Sequence, residues 1–87
     1  VPLRTAELCL ECLQAAEVVI RYGNTNAASD ARTAALMAAA GARAAALNVR
    51  INVESLKDAQ AAADLTERLE AVMQELAARE RALDLWS

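Results

Sequence analysis

The chain reads as all-α: three helices that form part of a larger helical bundle. Three observations predict this. Its 87 residues include one proline, at position 2, and two glycines, at 23 and 41, so helix breakers are scarce. Ten of the sixteen residues from Ala31 to Ala46 are alanine, the best helix former. Elsewhere the apolar residues recur at intervals of three and four, the period of one helix face.

The first helix begins at Pro2, whose missing N–H costs nothing in a first turn. Thr5, Leu8, Cys9, Cys12, Leu13, Ala16, Val19 and Ile20 cover one broad side, and Arg4, Glu7, Glu11, Gln14 and Arg21 fill a narrow strip opposite. Such a helix is expected to be more than half covered by neighbours. Glu17 and Arg21 stand four apart and form a modest ion pair. Tyr22-Gly23 ends the helix, with Gly23 expected as a left-handed cap.

Asn24-Thr25-Asn26 is the expected loop, with Asn26 as the N-cap of a second helix that carries Asp30 in its first turn and runs to about Asn52. At 1.5 Å per residue this helix is roughly 40 Å long, longer than a compact chain of this size needs. Its small side chains allow close approach, so other helices are expected along it. In the third helix, Ser55-Leu56-Lys57-Asp58 resembles a capping box. Ala62, Leu65, Leu69, Val72, Leu76, Leu83 and Trp86 then form a coiled-coil-like seam that Arg79 alone interrupts.

Composition bounds the function. The apolar fraction is 56%, yet much of it is alanine, and there is one Tyr, one Trp and no Phe. Burying a methyl is worth only about 0.8 kcal/mol against roughly 1.5–3 for a leucine. A chain this short also buries only about 60% of its unfolded surface, so partner helices are expected. The net charge is −3, without the clustered basic face that nucleic acid requires. Residues 1–53 carry +1 and residues 54–87 carry −4, which leaves only the first part suited to an anionic ligand. No run reaches the roughly 20 apolar residues of a membrane span. The opening residues carry no signal-peptide pattern, and a start at Val1 without methionine is consistent with a fragment or a mature product.

Cys9 and Cys12 could be half a zinc or redox site. With no histidine and no second cysteine pair, four ligands cannot be completed within the chain. Two buried core thiols, and a reduced cytoplasmic setting, are expected instead.

Polar residues concentrate in two places. Gly23-Asn24-Thr25-Asn26-Ala27-Ala28-Ser29-Asp30 holds more capping residues than one helix start requires, and such a start can present N–H groups to an anion. In Leu47-Asn48-Val49-Arg50-Ile51-Asn52-Val53, Asn48 and Asn52 share one helix face; they either bond neighbouring helices or line a polar cavity. Asp30 and Asn48 share a side with Gly41 between them, about 27 Å apart, too far for one small ligand to touch both within one subunit.

These two stretches, with Val1-Pro2-Leu3-Arg4-Thr5-Ala6-Glu7 and Leu56-Lys57-Asp58 in matching order, resemble the formiminotetrahydrofolate cyclodeaminase and methenyltetrahydrofolate cyclohydrolase family over about residues 1–75. The resemblance implies one partial domain, the carboxy-terminal half of an all-helical and usually dimeric folate domain. Its partners would be the amino-terminal half, a second copy and a tetrahydrofolate derivative, with no metal. The implied reaction closes 5-formimidoyl-tetrahydrofolate to the 5,10-methenyl form with loss of ammonia, or interconverts the methenyl and 10-formyl forms. Asp30 would be the acid/base or pterin-binding carboxylate. Asn26, Ser29, Asn48 and Asn52 would line the site, and Arg50 could meet a folate carboxylate although it points to the other side from Asn48. Family members are roughly twice this length and carry a Gly-Gly-Gly-Ser type motif that these residues lack, so this stretch alone is expected to be inactive. The competing reading is a non-catalytic helical interaction module.

Overall fold

A computed structural model describes residues 1–86. It contains three helices: α1 (Pro2–Tyr22), α2 (Thr25–Glu54) and α3 (Ala59–Ala82). They run up, down and up, with α1 and α2 packed most extensively and α3 laid more lightly against both.

Each junction has a local cause. Gly23 ends α1 in an extended conformation (φ −81°, ψ 170°), not the left-handed one expected. Space explains the glycine: a Cβ there would stand 2.5 Å from the Val19 carbonyl oxygen, which accepts the Gly23 N–H at 2.7 Å. The N-cap of α2 is Asn24, not Asn26. Its Oδ1 accepts the Ala27 N–H at 2.8 Å, so the loop contracts to two residues and Asn26 lies inside the first turn. The helix runs on to Glu54, where Ser55 closes it by donating from Oγ to the Asn52 carbonyl. The N-cap of α3 is Asp58, which takes the Gln60 and Ala61 N–H groups; the expected box starting at Ser55 does not form.

The core is two small clusters. Leu3, Ala6, Ala45, Ala46, Val49, Leu69 and Val72 form one, where the start of α1 meets the end of α2. The other centres on Leu13, Ala35, Ala39, Ala42 and Leu76, and Leu83 and Leu85 close it from the C-terminal turn. Leu13 and Leu76 are the largest fully buried side chains. Alanines supply most of the rest, which lets α2 lie close to its neighbours.

Charged residues tie α3 down. Arg79 replaces a seam residue because it reaches α1: its Nη1 is 2.9 Å from Glu17 Oε2 and its Nε is 2.8 Å from Glu75 Oε1. Glu17 also takes Arg21, as its spacing requires. Glu80 is buried, paired with Arg43 of α2, and accepts the Trp86 indole N–H at 2.6 Å. Arg32 donates to the Leu83 carbonyl at 3.0 Å. The seam therefore stops short of Trp86: α3 ends at Ala82, Leu85 turns inward and the Trp86 ring stays largely exposed.

Two sets of apolar residues remain uncovered. On α1, Leu8, Cys12, Ala15, Val19 and Tyr22 are exposed; on α2, so are Met37, Ala40, Ala44, Leu47 and Ile51. The pair of core thiols is thereby corrected. Cys12 belongs to the exposed line, and Cys9 is half-buried against α2. Thr5, Leu8 and Val19 are likewise exposed, because α2 and α3 cover only part of the broad side of α1. Among the described residues no helix is long and apolar enough to cross a membrane.

Candidate functional site

The helix α2 carries every candidate residue. Because it is unbroken from Thr25 to Glu54, it fixes their separation. Asn26, Ser29 and Asp30 occupy its exposed first turns. Asn48, Arg50 and Asn52 occupy its last turns, about 27 Å or more away along the axis from Asp30 to Asn48. The structure does not bring the two groups together. It divides them into a polar helix start and a separate pair of asparagines.

At the helix start nothing encloses the side chains. Asn24 uses its carboxamide on the Ala27 N–H, and the Ser29 carbonyl accepts the Thr33 hydroxyl at 3.2 Å. Asp30 stands in solvent on the same side of the helix as Gly41 and Asn48.

At the other end the surface is shaped. Asn48 lines a hollow of about 290 Å³ between α1 and α2, with Thr5 and the start of α1 on one side and Gly41, Ala44 and Ala45 on the other. Gly41 lets α1 come close: a Cβ there would stand 3.1 Å from Cys9 Sγ. Asn52 lines a smaller hollow of about 90 Å³ with Leu3, Val49 and Leu65. Both hollows share Pro2, so the two asparagines flank the beginning of α1. Both asparagines are exposed and border these hollows from the surface, so neither is a buried amide. Arg50 is exposed and lines neither hollow.

A larger hollow, about 420 Å³, lies elsewhere, among Arg43, Glu80, Arg81 and Trp86. Its size does not make it a site. The Arg43 charge is taken up by Glu80, which burial alone would push to a higher pKa. Hydrogen bonds from Arg43 and Trp86, with the nearby charge of Arg81, reverse that and hold the carboxyl below its ordinary value. Glu17 behaves alike: burial raises it, and Arg21 with Arg79 outweighs burial. Both carboxylates are structural partners of arginines.

The sequence matches the family model described as "Formiminotransferase-cyclodeaminase" over residues 1–71. The chain belongs to the formiminotransferase-cyclodeaminase family. A methenyltetrahydrofolate cyclohydrolase from Methylorubrum extorquens is 42% identical over 78 residues, which is 90% of this chain and 38% of that relative. The chain thus spans well under half the length of that protein. No solved structure matches. The formiminotransferase-cyclodeaminase match contains all six candidate residues and both asparagine-lined hollows, while Glu80 and Trp86 lie beyond it.

Sequence reasoning missed Thr5 as a lining residue. It counted Thr5 with the apolar face, where its methyl belongs, but the hydroxyl bonds the Val1 carbonyl at 3.2 Å and borders the hollow. It also missed the Glu80 partners; an acidic residue beside the interrupting Arg79 was the available signal.

Proposed function

We propose that this chain is the carboxy-terminal half of a tetrahydrofolate one-carbon domain in the cytoplasm, working with an amino-terminal segment and a second copy. Its substrate is 5-formimidoyl-tetrahydrofolate, closed to the 5,10-methenyl form with release of ammonia. In a close variant, water opens the methenyl form to 10-formyl-tetrahydrofolate. The observation that carries this reading is the family match, supported by the 42% identity to a protein named for the second reaction.

Both reactions act on one carbon between N5 and N10 of the folate. In the first, N10 attacks the formimidoyl carbon, the C–N bond to the imino nitrogen breaks, and that nitrogen leaves protonated as ammonia. In the second, water adds to the methenyl carbon and the C–N5 bond breaks as N5 regains its lone pair. Each needs a group that passes a proton at neutral pH. Asp30 is the candidate for it, with Asn26 and Ser29 holding the substrate beside it. Arg50 is left as a contact for a distant carboxylate of the folate.

Asp30 is exposed, and a side chain that passes a proton to a substrate must be held against it with bulk water excluded. The reading therefore requires other helices to enclose the start of α2, and the uncovered apolar lines on α1 and α2 support that requirement. The same lines favour the second reading, a purely associative module. Activity separates the two. In the domain joined to its companion segment, Asp30→Asn is expected to lower kcat about 10²- to 10⁴-fold with unchanged circular dichroism. A change within twofold would remove Asp30 from the mechanism. The 87-residue chain alone is expected to show no turnover; a rate equal to the joined domain would refute the half-domain reading.

A further inference from the structure

We draw no further inference here: the strongest candidate, the uncovered apolar line along the outer face of α2 from Met37 to Ile51, carries nothing, because nothing in the structure shows what covers it.

Discussion

At the scale of single residues, the two buried carboxylates give the clearest consequences. Glu17 and Glu80 are held below the ordinary value of 4.5 by arginine partners. A carboxyl with a depressed folded pKa lends its stability above the unfolded pKa and loses it as pH falls through the folded one. The melting temperature should therefore be flat from pH 7 to about 5 and fall below pH 4.5. A chain carrying Glu17→Gln and Glu80→Gln should melt lower at pH 7 and lose most of that acid dependence. Glu80→Ala alone should cost about 1–2 kcal/mol in denaturant titration, a figure reduced because the Arg43 side chain is half exposed. The candidate residues were legible in the sequence as types and spacings. That Asn48 and Asn52 share a face follows from a four-residue interval; that they flank Pro2 does not, since it depends on where the start of α1 meets α2. Thr5 was hidden for the same reason.

At the scale of elements, three caps and one glycine set the helix boundaries. Asn24→Ala and Asp58→Ala should each cost about 1 kcal/mol, while Asn26→Ala and Ser55→Ala should cost less, which chemical denaturation of the four variants would order. Gly23→Ala should be more damaging than its φ suggests, because the new methyl meets the Val19 oxygen. Leu76→Ala, at a fully buried position, should cost about 2–5 kcal/mol and leave little folded chain. The three helices were legible from periodicity and the shortage of breakers. Their caps were not, since Asn24 and Asn26, or Ser55 and Asp58, are equally good caps in composition. Backbone geometry chose between them. Trp86 followed the seam in spacing but not in space, because the Arg32 contact to Leu83 and the Glu80 contact to the indole turn the chain after Ala82.

At the scale of the whole molecule, the shape is elongated. A compact monomer of 9.2 kDa exposes about 4,900 Å², and this one exposes 5561 Å². Its radius of gyration is 14.5 Å, against about 12 Å for a globule of this length. The molecule measures 50 × 20 × 16 Å, so the long α2 sets its length and the other helices do not fill the width. Met37, Leu47 and Ile51 stand 72%, 59% and 62% exposed, on a helix whose opposite face is nearly all alanine. Alanine makes up much of the buried core, with Leu13 and Leu76 its largest fully buried side chains, so the burial available to offset chain entropy is small. We propose that outside helices complete this fold. Thermal unfolding of the 87-residue chain by itself, across a hundredfold range of concentration, tests this most directly. A broad transition at low temperature that climbs with concentration is the predicted result, and a sharp, high, concentration-independent transition from a monomer would contradict it.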